Sequence, residues 1–123
     1  MDEFKLIVAG GRDFCDHNRL AEVIQNGLIG PLKAYRVSIV SGMARGADAL
    51  GYKYGQAIGL YVYEFPADWD THGKRAGFLR NAQMAEFADG LLAFWDGQSR
   101  GTAHMIQQMR ALGKPVEIVR YNA

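Results

Sequence analysis

Five short apolar runs alternate along the chain with stretches whose apolar residues recur at helical spacing. The first run, Phe4 to Ala9, is rich in Leu, Ile and Val, and Gly10-Gly11 breaks it. Leu20, Val23, Ile24 and Leu28 then fall on one helical face, with Asp16 or Asn18 as a cap and Gly30-Pro31 as a stop. The second run is Val37 to Val40, and its helix carries Ala47, Leu50, Tyr54, Ala57 and Ile58. The third is Leu60 to Phe65, closed by Pro66. After a longer loop a helix is predicted from about Lys74 to Ala88, with Phe78, Leu79, Ala82, Ala85 and Ala88 inward. The fourth run, Leu91 to Trp95, precedes a helix with Met105, Ile106, Met109 and Leu112 at the right spacing. Gly113-Lys114-Pro115 ends that helix before the last run, Val116 to Val119.

Strict alternation of strand and helix with short links implies parallel strands joined by right-handed crossovers. The middle runs are apolar at nearly every position, as strands covered on both faces must be. The expectation is a Rossmann-like α/β three-layer sandwich of about five parallel strands, order 3-2-1-4-5, with helices on both faces. Ligands in such sheets sit outside the carboxyl ends of the strands at the switch point, here between strands 1 and 4. No internal repeat, low-complexity stretch or linker interrupts residues 1–123, so a single domain is expected.

Composition narrows the function classes. Apolar residues at 49% supply enough buried surface to exclude a disordered chain. The net charge of +1 argues against a partner held by its phosphate backbone, so nucleic acid is not expected. One cysteine, Cys15, excludes an intrachain disulfide and suits a reducing, cytoplasmic compartment. The apolar runs fall far short of the ~20 residues that span a bilayer, so no membrane partner is expected. His17, His72 and His104 lack ligand spacing, so no metal and no resident cofactor are expected.

Four loops meet at the carboxyl edge. Gly10, Gly11, Arg12 and Asp13 form the first; paired glycines let backbone N–H groups approach an anion, and Arg12 adds a planar charged fork. This is not a complete G-x-G-x-x-G fingerprint. The second holds Ser41, Gly42, Ala44, Arg45, Gly46 and Asp48; its amides suit phosphate, and Asp48 suits ribose hydroxyls or the helix dipole. The third holds Pro66, Asp68, Trp69 and Lys74, with Gly77, Arg80 and Asn81 on one face of the next helix. Trp69 stacks on a base or anchors the loop. The fourth, Trp95, Asp96, Gly97, Ser99, Gly101 and Thr102, leads into a helix N-terminus suited to an anion. Gly97-Gln98-Ser99-Arg100-Gly101 matches the G-x-S-x-G hydrolase elbow as a string, but no Ser…Asp…His order follows.

Together these motifs resemble the SLOG superfamily, nearest its YspA/YpsA-like branch, found in bacterial and phage genomes. The carriers are Gly10-Gly11-Arg12-Asp13-Phe14, Ser41-Gly42-x-Ala44-Arg45-Gly46-Ala47-Asp48, Phe65-Pro66-Ala67-Asp68-Trp69, Gly73-Lys74-x-Ala76-Gly77-x-x-Arg80-Asn81-x-x-Met84 and Ala93-Phe94-Trp95-Asp96-Gly97-x-Ser99-x-Gly101-Thr102. The resemblance implies a Rossmann-like fold binding AMP, ADP-ribose or NAD-related ligands. The related LOG enzymes hydrolyse the N-glycosidic bond of nucleoside monophosphates, and their R-K-x-x-M stretch is similar to Arg80-Asn81-x-x-Met84. Met105 stands where their loop carries a glutamate, which leaves a glycosidase without its expected carboxylate. Asp48, Asp96 and Arg80 are the remaining catalytic candidates. The related DprA/Smf branch binds single-stranded DNA, and its Ser-Gly-x-Ala-x-Gly-x-Asp stretch is similar to Ser41 through Asp48. The +1 charge and the lack of a basic, aromatic-interleaved strip weigh against that role. A homo-oligomer is expected, because small domains often complete such a pocket with a second copy.

Overall fold

The computed structural model describes residues 2–28 and 35–122. The Gly30-Pro31 stop and the side chain of Leu28 lie outside the described residues. The strands are β1 (Glu3–Gly10), β2 (Arg36–Ser41), β3 (Val62–Glu64), β4 (Gly90–Trp95) and β5 (Val116–Arg120). The helices are α1 (His17–Glu22, continued by a π-turn over Val23–Leu28), α2 (Ala47–Ala57), the single turn α3 (Trp69–His72), α4 (Ala76–Phe87) and α5 (Arg100–Ala111). A 3₁₀ turn over Gly73–Arg75 joins α3 to α4, so the regular helix starts two residues later than the sequence pattern predicts.

The strands form one parallel sheet in the order β3-β2-β1-β4-β5, as the alternation predicts. β1 is central, with Leu6 beside Ile39 on one neighbour and beside Gly90 on the other. The two-residue period of a strand sorts its side chains between two cores. Ile7 and Ala9 pack with Val40, Leu91 and Ala93 under Met84, Ala85, Met105 and Met109 of α4 and α5. Leu6 and Val8 pack with Ile39, Leu92 and Phe94 under Leu20 of α1 and Leu50 of α2. Ile7, Val8, Ile39 and Phe94 are fully buried, each worth about 1.5–3 kcal/mol relative to exposure.

Three expectations about helix faces are corrected. Ala57 and Ile58 are exposed, and α2 instead turns Gly51 and Gly55 to the sheet. A Cβ there would stand 2.7 Å from Val8 and 2.8 Å from Val62, so the helix lies too close to the sheet for larger residues. Phe78 is 48% exposed, because the first turn of α4 projects over the edge of the sheet toward the cleft described below. Leu112 is exposed because it is the C-cap of α5, beyond its packed face.

Lys114 closes the carboxyl end of α4. Its Nζ donates to the carbonyl oxygens of Ala85, Glu86 and Ala88 at 2.7, 2.9 and 2.7 Å. A cation satisfying terminal helix carbonyls combines charged hydrogen bonds with the helix dipole. Lys114→Met is expected to lower stability by about 2 kcal/mol, read as a lower urea midpoint at unchanged m. An unmoved midpoint would show that these bonds contribute nothing net.

Candidate functional site

The four loops converge where the topology says they should, above the β1–β4 junction. Two glycines make the convergence possible. Gly46, the N-cap of α2, has φ +83°, and a Cβ on it would fall 2.2 Å from the Gly11 carbonyl oxygen and 2.6 Å from the Arg12 backbone. The second loop therefore crosses the first backbone on backbone, and the Ala47 amide donates to Gly11 O at 3.2 Å. A Cβ on Gly42 would stand 2.7 Å from both Arg80 Nη1 and Asp48 Oδ2, so those two side chains pass over bare backbone.

The resulting cleft has two lobes. The first, about 650 Å³, is lined by Gly10, Gly11, Arg12, Asp13, Ala44, Arg45, Asp48, Arg80, Asn81, Asp96, Ser99, Gly101 and Thr102, with Ala9 and Met105 behind them. The second, about 700 Å³, shares Arg12, Ala44, Arg45, Arg80, Asn81 and Gly101 with it, and adds Gly42, Met43, Pro66, Ala67, Trp69, Lys74, Gly77 and Phe78.

Asp48 and Arg80 are the unusual pair. Asp48 is 5% exposed, and burial pushes its carboxyl up to about 6 against the opposing Arg80 charge and the Gly10 and Ala44 amides. Burial lowers the Arg80 guanidinium from its usual range, and the neighbouring Arg12 charge adds to the effect. Arg80 is held by donation from Nη1 to Gly42 O and Phe65 O and from Nε to Asn81 Oδ1. A buried carboxylate and a guanidinium shifted against each other in a cleft mark a candidate functional centre.

The same bonds fix a proton on His104. Asn81 Oδ1 accepts from Arg80, so its amide group donates, to Gly101 O at 3.2 Å and to His104 Nδ1 at 3.2 Å. His104 Nδ1 must then be the acceptor, which places the ring proton on Nε2, and burial favours the neutral ring. Nitrogen-15 NMR at neutral pH is expected to show His104 as the neutral Nε2–H tautomer. An Nδ1–H signal would mean that Asn81 is turned the other way.

The N-terminus of α5 is built by local bonds. Asp96 Oδ1 accepts from the Gln98 and Ser99 amides at 2.8 Å, which draws its carboxyl below the usual range. Ser99 caps the helix, with Thr102 N 3.5 Å and Thr102 Oγ1 3.2 Å from its hydroxyl. Both side chains thus already serve the turn, and the elbow-like string is a helix cap.

Five candidates do not line the cleft. Ser41 is buried and locks its turn, donating to Asp48 O and accepting from Met43 N. Gly46 supports the loop crossing. Asp68 caps α3 by accepting from Thr71 N. Trp95 donates its indole N–H to Ser99 O and lies beneath Arg120, so it does not face the site as a base platform. Gly97 packs against Arg120. The Gly11 amide is also not offered to an anion, since it donates to Phe94 O at 3.0 Å. Tyr121, just past β5, was not among the candidates, yet its hydroxyl donates to Asp13 Oδ1 and lies against Gly11.

A parallel α/β sheet carrying a cleft with three arginines at its switch point defines a Rossmann-like protein. The chain belongs to the YspA, cpYpsA-related SLOG family, whose model matches residues 4–72. It is 31% identical over 118 residues to the Gene 61 protein of Mycobacterium phage D29, covering 91% of this chain and 93% of that one. Its fold is similar to the X-ray structure of TM1055, a structural genomics target, with a TM-score of 0.65 at 20% identity, covering 94% of this chain and 72% of that one. Family membership supports a nucleotide-related function at a coarse level. Among the described residues, no helix is long and apolar enough to cross a membrane.

Proposed function

We propose that this protein binds a nucleotide or nucleotide-derived ligand, of the AMP, ADP-ribose or NAD-related kind, at the carboxyl edge of its sheet. The observation that carries the reading is the convergence of Arg12, Arg45 and Arg80 with buried Asp48 and the α5 N-terminus in one 650 Å³ lobe. Guanidinium forks match phosphate oxygens, the helix end adds free N–H groups, and a carboxylate accepts from ribose hydroxyls. Isothermal titration against AMP, ADP-ribose, cyclic ADP-ribose and NAD tests it. Binding by at least one, weakened about tenfold by Arg45→Ala, is expected; Arg45 is exposed, so its loss leaves the fold intact. No heat with any of the four would sink the reading. Native mass spectrometry of the purified protein would report a retained ligand and the subunit count together.

A second reading, hydrolysis of a nucleotide N-glycosidic bond, is favoured by the raised carboxyl of Asp48, which suits proton exchange near neutral pH. Against it, Met105 places a thioether, not a carboxylate, in the cleft lining. Incubation with nucleoside monophosphates and NAD, followed by chromatography, decides it: no free base means no such activity.

A further inference from the structure

The two lobes differ in charge. The first sets three arginines against three carboxylates, Asp13, Asp48 and Asp96. The second is lined by Arg12, Arg45, Lys74 and Arg80 and by no acidic residue. Its walls are also aromatic: Trp69 is 52% exposed and Phe78 48%, both bordering the same space. The Phe78 ring also lies against His104, at 4.5 Å between ring centroids.

Gly77 lies beside the Trp69 ring at the start of α4, and both line this lobe with Phe78. A glycine inside a helix disfavours it relative to alanine, so its presence calls for a reason. The reason is not packing. At Gly51 and Gly55 a Cβ would meet core side chains at 2.7 and 2.8 Å, whereas at Gly77 its nearest neighbours would be Trp69 Cη2 at 3.5 Å and Arg80 Nη2 at 3.9 Å. Those are ordinary contact distances. The missing side chain leaves open a slot beside the Trp69 indole.

We propose that the second lobe is a base subsite, with the base resting over Gly77 against Trp69 and Phe78, and that the ligand is a pyrophosphate-bridged molecule spanning both lobes. The proposal rests on the nucleotide reading above. Arg12, Arg45 and Arg80 belong to both lobes, so three cations stand at the junction where a pyrophosphate would lie. Arg12 and Arg80 repel one another there, and a doubly charged bridge relieves that repulsion. The carboxylates of the first lobe suit the hydroxyls of the distal ribose, and the aromatic, acid-free second lobe suits the base.

The test compares ADP-ribose, AMP and ribose 5-phosphate on the wild type, Gly77→Leu and Trp69→Ala, by calorimetry and ligand-observed NMR. The leucine Cβ has room, and its branch fills the slot; unchanged or raised melting temperature confirms folding. ADP-ribose is expected to bind at least tenfold more tightly than either smaller probe. Both substitutions are expected to weaken ADP-ribose and AMP at least tenfold while leaving ribose 5-phosphate within twofold. ADP-ribose binding unchanged by Gly77→Leu would overturn the base subsite while leaving the nucleotide reading intact. AMP binding as tight as ADP-ribose would overturn the two-lobe ligand. Absence of binding by any probe to the wild type would remove the nucleotide reading itself.

Discussion

Gly46→Ala is expected to be severely damaging, lowering stability by about 4 kcal/mol, a large share of the roughly 5–15 kcal/mol typical of a domain. Two effects combine. The backbone at Gly46 sits at φ +83°, ψ −133°, a region open essentially to glycine alone. The added Cβ would also fall 2.2 Å from the Gly11 carbonyl oxygen, a backbone atom with no rotamer to yield. Gly59→Ala is the control. Its φ is +80°, but nothing lies within 4 Å of its Cβ position, so only the conformational cost of about 1 kcal/mol applies. Guanidinium denaturation of both variants separates strain from collision. Equal losses would mean that the loop crossing can open at no cost, and that the cleft floor is softer than the contact distances imply.

The sheet was legible because both faces of its central strands are covered, which makes the apolar runs continuous and hard to mistake. Faces of helices were less so. Hydrophobic spacing pointed to Ala57 and Ile58 on α2, but contact with the sheet is made by Gly51 and Gly55, which carry no hydropathy signal. Where close approach decides packing, the smallest residue marks the face, and a pattern of large apolar residues points elsewhere. At the site, the four loops were found because strand order alone brings their ends together. What each side chain does there was harder to read. Trp95 ends β4 and Trp69 comes after β3, yet one indole is turned inward by the Ser99 carbonyl and the other stands exposed in the second lobe. Tyr121 reaches Asp13 across 108 positions, and no local motif announces such a contact. The surroundings of Asp48 likewise combine its own loop, at Gly42 and Ala44, with the distant Gly10 and Arg80.

The burial of Asp48 gives the second large effect. In the folded chain Asp48 titrates near 6, against 3.8 for an unperturbed aspartate. Between those values the native state holds a proton that the unfolded chain has released, so stability falls as pH rises through the window. The shift corresponds to about 3 kcal/mol lost from Asp48 ionisation between pH 3.5 and pH 7.5. Asp48→Asn removes the titration. Its stability relative to wild type is therefore expected to rise by about 3 kcal/mol over that interval, on top of whatever constant offset the amide introduces. Glu3, Asp68 and Asp96, whose carboxyls lie below the usual range, contribute in the opposite sense, but equally in both proteins, so they cancel in the difference. Denaturation midpoints at four or five pH values suffice, and parallel profiles would show that Asp48 ionises freely. A net gain at neutral pH would show that the buried carboxylate costs the fold stability. An ionised group kept partly desolvated beside Arg80 weakens the fold, and under the proposed function its return is a strong acceptor aimed at ligand hydroxyls. The same variant is then expected to gain stability on wild type as pH rises and to bind more weakly, and the two measurements together separate a functional carboxylate from a structural one.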